Sequence, residues 1–110
     1  MLLRMIMESN DKVHLAGFDL PLEERGRLQV NIEHYLKKIQ EHVDFDVLEL
    51  TLKKSTKGKA FNHEIHGRLN AQGKVLSAEV SDFNVFKAVS SVLDKILHEA
   101  EHLRRTSRQT

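Results

Sequence analysis

The sequence predicts an α+β domain in the order β-α-β-β-β-α, with two helices packed on one face of a four-stranded, mostly antiparallel sheet. Three observations predict it. Two long segments carry apolar residues at spacings of three and four, the mark of an amphipathic helix. Between them, three shorter segments alternate apolar and polar residues with period two and are joined by glycine-containing stretches. The opening residues alternate in the same way. Two layers around one core are the economical way to bury these faces.

The first strand is read at Leu3, Met5 and Met7, which alternate with Arg4, Ile6 and Glu8 before Ser9-Asn10-Asp11. Residues 12–19 are ambiguous; Val13, Leu15 and Phe18 pack either as a loop or as a strand extension. Asp19 is the expected N-cap of the first helix, with Pro21 in its first turn and Glu23 and Glu24 near its positive end. Leu22, Leu28, Ile32, Tyr35, Leu36, Ile39 and Val43 form its apolar face, and Asp44 and Asp46 mark its exit. Leu48, Leu50 and Leu52 define the next strand, and Ser55-Thr56-Lys57-Gly58 the turn after it. Phe61, His63, Ile65, Gly67 and Leu69 define the third strand, Asn70-Ala71-Gln72-Gly73 the next turn, and Leu76, Ala78 and Val80 the last strand. Asp82 is the expected cap of a second helix whose apolar face is Val85, Phe86, Val89, Val92, Leu93, Ile96, Leu97, Ala100 and Leu103. The opposite sheet face carries Glu49, Thr51, Lys53, Asn62, Glu64, His66, Arg68, Ser77 and Glu79, and is expected to meet water or a partner.

A chain of 110 residues fits one domain, expected to span 1–110 with an ordered core over about residues 3–104. It has no cysteine, which excludes disulfides, thiolate chemistry and cysteine-ligated zinc. No apolar run approaches the roughly 18 residues of a membrane span. The apolar opening is too short for a signal-peptide core. A cytoplasmic protein with no membrane partner is therefore expected. Lys and Arg number 17 against 16 Asp and Glu, so total charge does not point to nucleic acid, and any such reading rests on where the charges lie.

They lie in two places. Lys53, Lys54, Lys57 and Lys59 cluster around the first hairpin turn, where they can follow a phosphate backbone or, alternatively, deter edge-to-edge sheet pairing. Arg25, Lys37 and Lys38 sit on the first helix, and Lys87, Lys95, Arg104 and Arg105 on the second, on faces that ordinary solvated helices also show. No aromatic stands in an obvious stacking position, so contact with folded RNA is expected through shape and backbone.

The second helix carries a more specific signal. Phe86-Lys87-Ala88-Val89 is followed by Leu93-Asp94-Lys95-Ile96, preceded by Asp82. In this register and element order the chain resembles the ribosome hibernation-promoting and ribosome-associated-inhibitor family, over residues from about 3 to 103. The resemblance implies a double-stranded-RNA-binding-domain-like fold and a short-form member without the long form's dimerisation domain. It also implies binding to rRNA of the small ribosomal subunit across the path of transfer and messenger RNA, which stops translation and protects idle ribosomes. Family members often continue into a basic tail, whereas here the helix reads His98-Glu99-Ala100-Glu101-His102, with two glutamates. The alternative is a protein-interaction module of the same fold, a weak homodimer or other partner complex formed through the sheet face or edge.

His98, Glu99 and His102 also satisfy the H-E-x-x-H zinc-hydrolase pattern. No downstream third ligand remains, and the motif falls on the solvent side of an amphipathic helix with no dry cleft, so it is rejected as a catalytic centre. His63 and His66, three apart on a strand, point to opposite faces. No nucleophile, base and orienting group converge. Neither cofactor nor small-molecule substrate is expected, and the chain reads as a non-enzyme.

Overall fold

Alternation with period two governs residues 47–82, and in the computed structural model it becomes an antiparallel meander. The structure describes residues 12–109, apart from the side chains of Lys57 and residues 104–109. Strand β2 spans Val47–Lys57, β3 spans Ala60–Ala71 and β4 spans Lys74–Asp82. Leu50 pairs with Gly67 and Gly67 with Ala78, so the apolar member of each strand lands on one face.

The turns are tighter than the sequence suggests. Ser55, Thr56 and Lys57 belong to β2 and pair with Asn62, Phe61 and Ala60, which leaves the two residues Gly58-Lys59 as the loop. A two-residue hairpin loop needs a positive φ at its first residue, and Gly58 supplies one at 66°. Likewise Asn70 and Ala71 belong to β3, and the loop is Gln72-Gly73.

Strand β1 is Val13–Ala16, within the segment whose sequence is ambiguous. It pairs in parallel with β2, Val13 beside Leu48 and Leu15 beside Leu50. A parallel pair needs a long crossover, and helix α1, Leu22–Gln40, is that crossover. The strand read at Leu3, Met5 and Met7 lies outside the described residues. The sheet order is β1-β2-β3-β4.

The N-cap of α1 is Pro21, not Asp19, and no side chain caps it. Proline disfavours helical geometry in the residue before it, so Leu20 cannot open a helix capped by Asp19. Leu28, Ile32, Leu36 and Ile39 form the buried face of α1. Leu22 belongs to the predicted face but is 71% exposed. It stands six residues, nearly two turns, before the first buried position, Leu28.

Helix α2 spans Val85–Gln109. Its cap is Asn84, whose side-chain oxygen accepts from the N–H groups of Phe86 (2.9 Å) and Lys87 (3.2 Å). Asp82, the expected cap, is still in strand register opposite His63, and its carboxylate accepts from the N–H of Asn84 at 2.8 Å. Asp82 thus shapes the turn that delivers the capping residue. All the predicted apolar positions of α2 are buried except Phe86, which is partly covered.

Both helices descend against strands that run the other way, so they lie parallel on one face of the sheet. Their side chains meet at a constant offset. Asn31 donates to Ser90 across 59 residues of sequence at 2.8 Å, and the Arg27 guanidinium lies 4.5 Å from the Phe86 ring centre. His42 Nε2 approaches Glu101 at 3.9 Å. Leu48, Leu50, Ile65 and Leu69 from the sheet are fully buried against Val89, Val92, Leu93 and Ile96 of α2, with Leu28, Ile32 and Ile39 of α1 completing the core. Gly67 makes the close approach possible: a Cβ there would stand 2.5 Å from Val92 Cγ1 and 2.9 Å from Ile96 Cδ1. Among the described residues, no helix is long and apolar enough to cross a membrane.

Candidate nucleic-acid interface

The β2–β3 hairpin projects. The last β3–β4 pair is His63 with Asp82, so residues 55–62 continue past the sheet as a two-stranded ribbon. The N-termini of both helices lie at this same end, because β1 and β4 lead into them. The four hairpin lysines are therefore not one patch. Lys53 lies on the helix-free face, in register with Glu64; Lys54 lies on the helix side, in register with His63. Lys57 closes β2, and Lys59 is exposed in the loop. At about 3.3 Å per residue, Lys53 and Lys57 stand roughly 13 Å apart along the strand. The ribbon thus carries cations on both faces and at its tip.

The helix cations divide. Lys37, Lys38, Lys87 and Lys95 are exposed. Lys87 is on the first turn of α2, near the hairpin end, whereas Lys37 and Lys38 are at the far end of α1. Lys38 Nζ lies 5.8 Å from the Tyr35 ring centre. Arg25 is half-buried, with its Nε shielded from solvent and making no hydrogen bond within the protein. Arg104 and Arg105 lie in the last turns of α2, and their side chains are outside the described set. Lys87 thus lies at the hairpin end of the molecule, and Lys37 and Lys38 at the other end of α1.

Two aromatics overturn the expectation that none is placed for stacking. Phe61 is 60% exposed and Phe83 is 58% exposed. Phe61 alternates onto the helix side of the sheet, but the ribbon has there outrun its cover. Phe83 sits in the short link between β4 and α2. Strand alternation assigns a face and does not say where the cover stops.

Between hairpin and helix N-termini lies a cleft of about 520 Å³, whose wall includes Asp19, Glu24, Lys54, His63, Phe83 and Asn84. His63, on the helix side of β3, is only partly buried. Its Nδ1 is shielded and makes no hydrogen bond within the protein. Asp19 and Glu24 place negative charge opposite Lys54, so the cleft is not simply an anion site.

On the helix-free face, His66 Nε2 lies 2.7 Å from Glu64 Oε1 and 3.5 Å from Glu79 Oε1. The hydrogen bond from His66, reinforced by the charges of His66 and Lys53, holds the Glu64 carboxyl below the usual glutamate value. His63 and His66 do face opposite ways, as the alternation requires. His98, Glu99 and His102 are exposed on α2.

The chain is similar in fold to the N-terminal domain of Protein Y from Thermus thermophilus. The TM-score is 0.58 at 18% identity, over 82% of this chain and 94% of that one. A ribosomal subunit interface protein from Coxiella burnetii superposes with a TM-score of 0.48 at 12% identity, over 89% of this chain and 98% of that one. No protein-family model matches the sequence, and no curated protein matches it. At 18% identity the likeness to the Protein Y domain is one of fold.

Proposed function

We propose that this chain is a non-enzymatic, cytoplasmic ribosome-associated regulator of the hibernation-promoting family. It binds rRNA of the small subunit through backbone contacts and inactivates or protects idle ribosomes. The observation that carries the reading is the projecting ribbon with Lys53, Lys54, Lys57 and Lys59, set at one end of a fold shared with the Protein Y domain. The register in α2 supports it. Packing accounts for Ala88, Val89, Leu93 and Ile96, which are fully buried. It does not account for Lys95, which is exposed.

Lys87 extends the basic contact from the ribbon along α2, and Phe61 and Phe83 offer faces on which unpaired bases can stack. One observation favours the rival, a homodimer through the sheet edge: β4 is an outer strand of nine residues with Val75 half-exposed.

Pelleting of folded protein with isolated small subunits, and in parallel with large subunits, tests the proposal. Expected is saturable binding to small subunits at low salt that fades at high salt. Absence of pelleting at low salt, with protein in excess and a concentration-dependent dimer in its place, would favour the rival.

A further inference from the structure

We propose that Glu64, His66 and Glu79 form a binding site for a divalent transition ion of the zinc class on the helix-free face of the sheet. This goes beyond the ribosome reading and does not depend on it. The backbone sets the placement. Glu64 and His66 are two apart on β3 and share a face. Glu79 on β4 is the register partner of His66.

The imidazole Nε2 approaches both carboxylates, at 2.7 Å and 3.5 Å, and one ligand atom from each residue lies within 4.8 Å of the others. An ion with tetrahedral bonds of about 2.0–2.2 Å holds neighbouring ligand atoms roughly 3.3–3.5 Å apart. The His66–Glu79 separation already meets that spacing. The Glu64–His66 separation must widen by about 0.6–0.8 Å, which a small rotation of the Glu64 side chain supplies. Beside the trio the surface dips into a depression lined by Arg68, Ser77 and Glu79 among others, which leaves a fourth position open to water.

The donor set decides the class of ion. One imidazole with two carboxylates suits zinc and its neighbours nickel and copper(II), whereas magnesium and calcium prefer oxygen alone. Two cations limit the affinity. Lys53 is the register partner of Glu64, and Arg68 follows His66 by two residues on the same face. Removing the Lys53 charge therefore tightens binding. Sequence spacing hides the site, because Glu79 joins only through the β3–β4 register.

Zinc chloride alone, titrated into the untagged full chain near neutral pH by calorimetry, is the test, with imidazole nitrogen resonances as a second readout. The expected result is one ion per chain and a shift of the His66 signal. His66→Ala should weaken binding by about tenfold or more, since losing even an outer partner of a ligand typically costs 10–100-fold. Glu79→Gln should weaken it, Lys53→Gln should strengthen it, and the double variant His98→Ala/His102→Ala should leave it unchanged. His66 is on the open face, so an unaltered circular-dichroism melt shows that its variant is folded. Two results overturn the proposal: no zinc binding at equimolar micromolar concentration, or binding that survives His66→Ala and disappears in the His98/His102 variant. The first would leave the trio as a hydrogen-bonded imidazole between two carboxylates.

Discussion

At the scale of the residue, Tyr35 reports how the helices pack. Partial burial raises the pKa of its phenol above the ordinary 10.0, and the Asp94 carboxylate raises it further. Both disfavour the phenolate in the folded state only. The corresponding stability is fully present below pH 10.0 and is lost as pH rises through the raised folded value. Tyr35 is the one tyrosine in the sequence, so phenolate absorbance follows it directly. Asp94→Asn should shift that titration part of the way back toward 10.0, since burial, the larger cause, remains. An unshifted curve would mean that Asp94 does not face Tyr35. Asp94 belongs to the run read as a family signature, yet part of its surroundings is intramolecular.

At the scale of the element, caps and close approaches can be tested one at a time. Asn84→Ala removes the acceptor for two orphan N–H groups of α2 and should cost about 1 kcal/mol in chemical unfolding. Asp82→Ala should cost less, because it removes only the support of the turn; equal or reversed costs would return the cap to Asp82. Gly67→Ala should cost roughly 1–3 kcal/mol, since the new methyl must displace Val92 and Ile96. A neutral outcome would mean that α2 sits farther from the sheet.

Long elements with a clear period are legible in the sequence alone. The apolar faces of β2, β3, β4 and α2 stand where alternation and three-four spacing place them. Short or end-determined features are not. Four residues, Val13–Ala16, are too few to show a period, and β1 is recognised by its pairing with β2. The caps differ from expectation for local reasons: Pro21 constrains Leu20, and Asp82 is still held in the sheet. Parity alone is enough to assign Lys53 and Lys54 to opposite faces. The exposure of Phe61 and Phe83 is not so readable, because it depends on how far the ribbon outruns the helices. The convergence of Glu64, His66 and Glu79 needs the cross-strand register.

At the scale of the whole molecule, a nearly neutral chain concentrates cations on a projecting hairpin at the helix N-terminal end. The proposed function therefore rests on charge placement and not on charge balance. The most direct test is the salt dependence of small-subunit binding for the parent chain and for a variant with Lys53, Lys54, Lys57 and Lys59 all changed to Gln. If the four lysines touch phosphates, log affinity against log salt is shallower for the variant by roughly 3. Equal slopes with equal affinities would contradict the account and remove the hairpin from the interface.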